Sequence, residues 1–278
     1  MAKMTVNMIS YTLKRTVDIT VVLPTATIPM SMGMGGSPED LKYQGKPKYP
    51  VLYLLHGMGN NHAQWTGYTN VELFAEERNI AVVMISAENK CYINYGGDKF
   101  YDFIENELQD FIKGTFPVSD RPEDTYIAGL SMGGYGTLVH ALSNPEKYAA
   151  AGAFSAAVVL NPISIINPDS LVGDDGQIDA SKLGDGVEAS IDPNSLADKL
   201  IAEGKKFPKM YVACGGKDFL IEANTAFKDK LVAAGVDVTW DYIAEYGHEW
   251  RFWNIEVERF LDWLPRTDAY ADKGRRQI

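Results

Sequence analysis

The hydrophobic positions of the chain form short apolar runs, separated by longer stretches in which apolar residues recur with helical spacing. Short apolar or alternating runs are typical of strands, and runs without a polar interruption indicate strands that are covered on both faces. The eight runs of this kind lie at 5–10, 15–23, 51–55, 80–85, 126–129, 149–154, 210–214 and 236–243. A tight connection at residues 13–14 predicts that the first two runs pair as a hairpin.

Helical patterns lie between the predicted strands. In segment 100–112 apolar residues recur at i, i+3, i+4, i+8, i+11 and i+12, and segment 250–264 carries a similar apolar stripe. Strands that alternate with helices predict an α/β fold with a mainly parallel sheet and helices on both faces. We expect one domain over residues 1–278, built on an eight-stranded sheet with the opening hairpin as its antiparallel edge.

Composition and charge narrow the class of protein. The 278 residues are 46% hydrophobic, and 26 Lys and Arg against 37 Asp and Glu give a net charge of −11. An acidic surface repels phosphates, so neither a nucleic acid nor an anionic membrane is an expected partner. The chain has no apolar run of transmembrane or signal-peptide length. This predicts a cytoplasmic protein, with secretion after loss of a leader as the alternative.

The segment GLSMGG, residues 129–134, carries the strongest chemical signal. It fits G-x-S-x-G, follows a predicted strand and precedes a predicted helix, which is the setting of a nucleophile elbow. Gly129 and Gly133 leave room for the tight turn that such a serine needs. The amide of Met132 opens the helix, where it can stabilise an oxyanion. Ser131 is therefore the predicted nucleophile.

A serine nucleophile needs a base, and the chain has four histidines. His62 lies in a polar loop, and His140 falls inside the helix after Ser131, where it points away from the turn. His248, in EYGHEW, follows the last predicted strand. In hydrolases with this serine turn the base comes last along the chain, so His248 is the predicted base.

The acid of such a site is expected at a strand end between the serine and the histidine. The segment KMYVACGGKD places Asp218 after a strand and a Gly-Gly turn. Asp237 and Asp241 fall within or at the start of a strand instead. We predict Asp218 as the acid, and an N-cap of the following helix is its alternative role.

HGMG, residues 56–59, follows the third predicted strand and can supply a second oxyanion donor. The predicted donor is the amide of Met58, and Gly57 permits the close backbone approach. We interpret His56 as a structural hydrogen-bonding residue. Three aromatic residues in loops after strands, which are candidates for the wall of a substrate pocket, are Trp65, Tyr92 and Tyr95.

The stretch at about 156–205 interrupts the alternation of strands and helices, and it is rich in Asn, Asp, Gly, Ser and Pro. It is too long for a plain connection, so we predict a cap-like insertion over the active-site end of the sheet. Its acidic run GDDGQID does not fit a calcium loop, because Leu171, Gly173 and Lys182 would occupy ligand positions. No metal site is predicted.

Four motifs together resemble the esterase D-like group of α/β-hydrolases. They are YLLHGMGNNHAQW at 53–65, AGLSMGGYG at 128–136, CGGKDFLIEAN at 214–224 and GHEWRFW at 247–253. The resemblance spans roughly residues 51–264 and is strongest to the tributyrin or acetyl esterase branch. The related S-formylglutathione hydrolases typically carry a cysteine shortly after the HG pair, where this chain has Met58-Gly59-Asn60-Asn61.

The resemblance implies an α/β-hydrolase fold, no cofactor, often a homo-oligomer, and a triad at Ser131, Asp218 and His248. It implies a serine carboxylesterase that hydrolyses short acyl esters of a small molecule or a saccharide. Feruloyl or acetylxylan esterase, S-formylglutathione hydrolase and acyltransferase activity remain alternatives. A non-catalytic carbohydrate-binding protein is the alternative from a different class.

Overall fold

An eight-stranded sheet forms the centre of the molecule, as predicted. The computed structural model describes residues 1–158, 161–162, 166 and 188–278. The strands run in the order β1-β2-β4-β3-β7-β8-β9-β10. They comprise β1 (Ala2–Ser10), β2 (Arg15–Leu23), β3 (Val51–Leu55), β4 (Ala81–Ile85), β7 (Thr125–Leu130), β8 (Ala150–Phe154), β9 (Lys209–Gly215) and β10 (Val238–Ile243). A separate two-stranded ribbon pairs β5 (Asn94–Tyr95) with β6 (Asp98–Lys99).

The opening hairpin is the antiparallel edge of this sheet. β1 pairs with β2 from Ala2 opposite Leu23 to Ser10 opposite Arg15, and β2 pairs antiparallel with β4. The buried carboxylate of Glu107 accepts hydrogen bonds from the Ser10 hydroxyl at 2.8 Å and from two amides of the hairpin turn. The turn is therefore anchored to the body of the protein.

The remaining neighbouring strands are parallel, so their carboxyl ends meet at one edge of the sheet. Every residue of β3, β4, β7 and β8 is buried, which agrees with their uninterrupted apolar sequence. Ligands of such sheets bind in the crevice beyond the carboxyl ends of the strands. This edge is where the predicted chemical residues fall.

Helices cover both faces of the sheet and divide the core in two. α2, α3 and α9 pack on one face, and α4 to α8 pack on the other. No helix of the described ranges is both long and apolar enough to cross a membrane. The helices are α1 (Ile28–Ser31), α2 (Gln64–Tyr68), α3 (Val71–Arg78), α4 (Phe100–Asp102), α5 (Gln109–Thr115), α6 (Met132–Ser143), α7 (Pro193–Ala202), α8 (Ile221–Ala233) and α9 (Trp250–Trp263).

A π-helical segment, Phe103–Leu108, joins α4 to α5. The predicted helix therefore exists, but its middle is wound more widely than the apolar spacing indicates. Wider turns of this kind are rare and often lie at functional positions. Here the segment holds two buried carboxylates, Glu105 and Glu107, that the apolar pattern did not single out.

The predicted insertion at about 156–205 is described only in part. Its residues Pro193–Ala202 form α7, a crossover helix between β8 and β9 that packs its apolar side into the core beside α6. That the segment forms a cap-like insertion over the active-site end of the sheet stays a prediction. Residues 159–160, 163–165 and 167–187, including the acidic run that does not fit a calcium loop, lie outside the described residues.

A buried acid on α9 ties the stability of the fold to pH. The Glu256 carboxyl is fully buried and lies 2.9 Å from the Tyr211 hydroxyl, which is also 2.8 Å from the Asp241 carboxylate. One hydroxyl proton cannot serve two carboxylates, so Glu256 fits this site best as a neutral acid. Burial, and then the charge of Asp241, raise the pKa of Glu256 to about 7.

We expect Glu256→Gln to stabilise the protein at alkaline pH. The unfolded chain loses this proton near its ordinary pKa of 4.5, whereas the folded protein holds it to about 7. The free energy of unfolding should therefore fall as pH rises between these values, and the variant should gain on the order of 2 kcal/mol at about pH 8. Urea unfolding at about pH 5 and about pH 8 measures the difference, with the partly exposed Glu258→Gln on the same helix as control. Equal stability of Glu256→Gln and the wild type at the higher pH would contradict it.

Candidate active site

Ser131 occupies a strained turn between β7 and α6. Its backbone has φ 54° and ψ −117°, a conformation that residues with a side chain rarely adopt. The Ser131 amide donates to the Phe154 carbonyl at 2.9 Å, which fixes the turn to β8. A side chain on Gly129 would meet the Gly133 carbonyl oxygen at 2.5 Å, and one on Gly133 would collide with the backbone of Leu55. The tight turn therefore needs both glycines.

The structure brings Ser131, His248 and Asp218 into one hydrogen-bonded chain. The His248 Nε2 atom lies 3.0 Å from the Ser131 hydroxyl, and its Nδ1 atom lies 2.9 Å from Asp218 Oδ2. Because the carboxylate only accepts, Nδ1 carries the hydrogen and Nε2 is free to accept the serine proton. The three residues come from the carboxyl ends of β7, β9 and β10, which the parallel sheet places at one edge.

Asp218 is held as a carboxylate by its surroundings. The residue is 2% exposed, and burial alone would raise its pKa. Hydrogen bonds from His248, from the Leu220 amide at 2.9 Å and from the Ser155 hydroxyl outweigh burial and lower the pKa of Asp218 below its ordinary value. The Lys217 amide donates to the Tyr246 carbonyl at 2.8 Å, which ties the acid's turn to the loop that bears His248.

The HGMG loop (residues 56–59) passes directly against the serine. A side chain on Gly57 would meet Leu130 Cδ1 at 2.5 Å and would lie 3.6 Å from Ser131 Cβ. His56 is buried, its Nε2 atom accepts the Ala87 amide at 3.0 Å, and its Nδ1 atom donates to the Gly57 carbonyl at 2.7 Å. Burial lowers the pKa of His56 to about 4, so the ring is neutral and structural.

The hydrogen bond from His56 also sets the direction of a neighbouring donor. The Gly57 carbonyl and the Met58 amide belong to one planar peptide, so they point in opposite directions. Fixing the carbonyl toward His56 therefore fixes the amide away from it. On α6 the Met132 amide lies in the first turn, where helix amides have no acceptor within the helix. Met132 follows Ser131 directly, and Met58 follows Gly57, which passes close to Ser131; the oxyanion role of these two amides stays a prediction.

Two of the three predicted pocket residues do not line a cleft. Trp65 and Tyr92 are each 0% exposed. The Trp65 indole donates to the Leu55 carbonyl at 3.0 Å, and the Tyr92 hydroxyl donates to the His56 carbonyl at 2.7 Å. The prediction is wrong for these two residues, because both rings are buried in the core. Tyr95 is 37% exposed on the ribbon, and its role stays a prediction.

Sequence reasoning missed three neighbours of the site. Phe219 is 72% exposed, and its ring centroid lies 4.7 Å from that of His248. The Trp253 ring also contacts the His248 ring, edge to face with centroids 4.9 Å apart, and its indole donates to the Ser155 hydroxyl at 3.2 Å. Position along the chain is the one signal that could have found them: Phe219 directly follows the acid, and Ser155 directly follows β8.

Metal ligands are not grouped near this site. Among the described residues, His, Cys, Asp and Glu side chains form no cluster of three or more that could hold a metal ion. Cys91 and Cys214 are buried, and burial raises the pKa of each thiol to about 12. The hydrogen-bonded groups that this site offers for chemistry are the serine, its histidine and its carboxylate.

A mainly parallel sheet with a strained serine turn at its carboxyl edge defines an α/β-hydrolase. This is the fold class that the sequence predicts. The chain belongs to the esterase family, because the family model described as "Putative esterase" matches residues 37–258. It is 30% identical over 281 residues to an acetyl esterase of Caldicellulosiruptor saccharolyticus, covering 96% of this chain and 99% of that protein.

Two solved structures of Staphylococcus aureus proteins are similar over nearly the whole chain. The fluorophosphonate-binding serine hydrolase FphF superposes with a TM-score of 0.77 at 29% identity, covering 96% of this chain and 99% of that one. The S-formylglutathione hydrolase FrmB superposes with a TM-score of 0.75 at 29% identity, covering 95% and 98%. The predicted esterase family is confirmed, and the protein is a carboxylic ester hydrolase.

Proposed function

We propose that this protein is a serine carboxylesterase that hydrolyses short acyl esters, with Ser131 as nucleophile, His248 as base and Asp218 as the acid that orients the base. The observation that carries the proposal is the unbroken hydrogen-bonded chain from Asp218 through His248 to Ser131, with links of 2.9 and 3.0 Å. Hydrogen-bond contact between nucleophile and base, and between base and acid, is the geometry that makes a serine reactive.

In the acylation step the Ser131 oxygen bonds to the ester carbonyl carbon while His248 Nε2 takes the serine proton. The carbonyl electrons move onto oxygen, and the amides of Met58 and Met132 stabilise that oxyanion. The intermediate then collapses, the bond to the alcohol oxygen breaks, and His248 gives its proton to the leaving alcohol. Asp218 stays ionised and stabilises the imidazolium that forms.

In the deacylation step water takes the place of Ser131 as the nucleophile. His248 takes a proton from water as the oxygen attacks the acyl carbon, and the same two amides hold the second oxyanion. Collapse breaks the bond to Ser131, which recovers its proton from His248, and the carboxylic acid is released. Both steps therefore use one base and one oxyanion site.

The alcohol part of the ester lies on the His248 side, since that residue protonates it. Phe219 is the exposed ring on this side, 72% exposed and 4.7 Å from the imidazole. We propose that Phe219 contacts the leaving alcohol. The acyl preference for short chains rests on the similarity to an acetyl esterase over 96% of the chain.

A series of p-nitrophenyl esters, from acetate to decanoate, tests the acyl preference. We expect kcat/KM to be highest among the shortest acyl groups and to fall at least about tenfold by decanoate, because a methylene that does not fit costs roughly that much. S-formylglutathione, the substrate named for FrmB, serves as the competing substrate. A maximum at long chains, or a kcat/KM for S-formylglutathione that exceeds the acetate value about a hundredfold, would contradict the proposal.

A further inference from the structure

A cluster of three buried polar residues is hydrogen-bonded to the HGMG loop, and the mechanism above does not use it. Its members are Tyr92, His140 and Glu105, none of which is more than 5% exposed. We propose that Tyr92, held in place by the His140–Glu105 pair, is a positioning residue that fixes the HGMG loop for oxyanion stabilisation. The inference rests on the proposed function, because it assigns a role toward the Met58 amide.

Tyr92 connects the HGMG loop to the helix that follows the nucleophile. Its hydroxyl donates to the His56 carbonyl at 2.7 Å. Its ring packs closely against α6, where a side chain on Gly136 would meet Tyr92 Cδ2 at 2.5 Å. On the same helix, a side chain on Gly133 would meet the His56 carbonyl oxygen at 2.6 Å. One tyrosine thus sets the spacing between the oxyanion loop and the nucleophile helix.

The segment that carries Tyr92 is strained and touches the loop at two further points. Glu88, Cys91 and Tyr92 all have positive φ values, of 51°, 52° and 62°. Such conformations are unfavourable for residues with a side chain and persist where surrounding contacts impose them. The Ala87 amide donates to His56, and the Gly59 amide donates to the Asn89 side chain at 2.7 Å. The strained segment therefore holds the loop at both ends.

His140 fixes the backbone of Tyr92 from the other side. Its Nε2 atom lies 3.0 Å from the Tyr92 carbonyl, and its Nδ1 atom lies 2.6 Å from Glu105 Oε1. A carbonyl and a carboxylate both accept, so both ring nitrogens donate and the ring is an imidazolium. Glu105 also accepts from the Tyr148 hydroxyl at 2.7 Å and from the Lys147 ammonium at 3.0 Å.

The positive charge of His140 strengthens its hydrogen bond to the Tyr92 carbonyl. Burial acts to raise the pKa of Glu105, but its hydrogen bond and charge interaction with His140 prevail and lower the pKa below its ordinary value. Hydrogen bonds from a cation are roughly twice as strong as neutral ones. The π-helical segment Phe103–Leu108 supplies Glu105, so the unusual turn has a consequence at the site.

A small displacement of the loop is sufficient to weaken catalysis. The Met58 amide is one peptide away from the His56 carbonyl that Tyr92 holds, and oxyanion donors act only from a narrow range of positions. Misplacement by about 1 Å can cost about a hundredfold in rate. Acylation and deacylation share this donor, so both slow together and KM stays constant while kcat falls.

The test compares Tyr92→Phe with Tyr53→Phe. Tyr53 is equally buried on β3, three residues before His56, and its hydroxyl has no hydrogen-bond partner among the described residues. Rates are expressed per reactive serine, titrated with a fluorophosphonate, so that misfolded protein does not count. A trifluoromethyl ketone, which forms a tetrahedral adduct, reports oxyanion stabilisation directly.

For Tyr92→Phe we expect kcat on p-nitrophenyl acetate to fall about tenfold, with KM changed less than about twofold and with trifluoromethyl ketone affinity reduced by the same factor as kcat. His140→Gln, which keeps a donor but not the charge, should show a smaller loss of the same kind. Tyr53→Phe should match the wild type. Wild-type kcat and ketone affinity in Tyr92→Phe, or a rise in KM alone, would overturn the inference.

Ser131→Ala separates this inference from the proposed function. If that variant still hydrolyses the ester at the wild-type rate, the proposed function fails whatever Tyr92 does. If Ser131→Ala is inactive and Tyr92→Phe is fully active, only the positioning role fails.

Discussion

Ser131→Ala is expected to lower kcat for p-nitrophenyl acetate by at least about 10⁴-fold. The alanine cannot form the acyl bond, and the remaining oxyanion donors and bound water supply only the residual catalysis that such sites show. The fold should survive, because the one hydrogen bond of the Ser131 hydroxyl among the described residues is to the His248 ring, which other contacts also hold in place. The strained backbone conformation at φ 54° is equally unfavourable for a serine and for an alanine, so the substitution leaves that strain unchanged.

The measurement is a comparison of kcat, thermal unfolding and fluorophosphonate labelling in Ser131→Ala and Ser143→Ala. Ser143 ends the same helix, α6, and is the matched control. Loss of hydrolysis and of labelling in the first variant only, with unchanged melting temperatures, would support Ser131 as the nucleophile. A labelled and active Ser131→Ala protein would remove Ser131 from the reaction.

The strands of the sheet and the candidate triad residues could be predicted because each leaves a local mark in the sequence. Uninterrupted apolar runs such as 51–55 indicate strands buried on both faces, and a G-x-S-x-G turn must join a strand to a helix. The carboxyl ends of parallel strands meet at one edge, so chain order alone brought Asp218 and His248 to Ser131. In the structure His248 lies within hydrogen-bond distance of both Asp218 and Ser131, and the catalytic roles of the three residues remain the proposal above.

The residues that sequence reasoning misplaced depend on contacts between distant segments. Trp65 and Tyr92 are aromatic residues in loops, and nothing in the local pattern shows whether such a ring turns toward a cleft or toward the core. The position of His140 inside a helix argues against a role as the base, but it does not reveal the partner of this histidine. The pairing of His140 with Glu105 spans 35 positions and involves the π-helical turn. Helical periodicity predicts which side of a helix is apolar, and it does not reveal one inserted residue.

Asp218→Asn is expected to reduce kcat by about 10⁴-fold while KM changes little. An asparagine keeps the shape of the side chain, and its oxygen can still accept the hydrogen bond from the Leu220 amide, whose nitrogen lies 2.9 Å from Asp218 Oδ1. Its amide group can donate to His248 Nδ1, and this places the ring hydrogen on Nε2, facing the Ser131 hydroxyl. A ring in that form has no lone pair with which to take the serine proton.

The same substitution tests the catalytic role of Asp218 against a purely structural one. The alternative role as a helix cap is wrong, because Leu220 is the N-cap residue of α8. Asp192 does cap a helix, α7, by accepting from the Asn194 and Ser195 amides at 3.2 and 3.0 Å. Asparagine is as good an N-cap as aspartate, so Asp192→Asn should leave kcat and the melting temperature unchanged. If Asp218→Asn also keeps kcat within about tenfold of the wild type, the carboxylate does not act through His248. Because hydrogen bonds to its carboxylate lower the pKa of Asp218, the wild-type group is ionised at neutral pH, and the variant therefore removes a charge that the transition state needs.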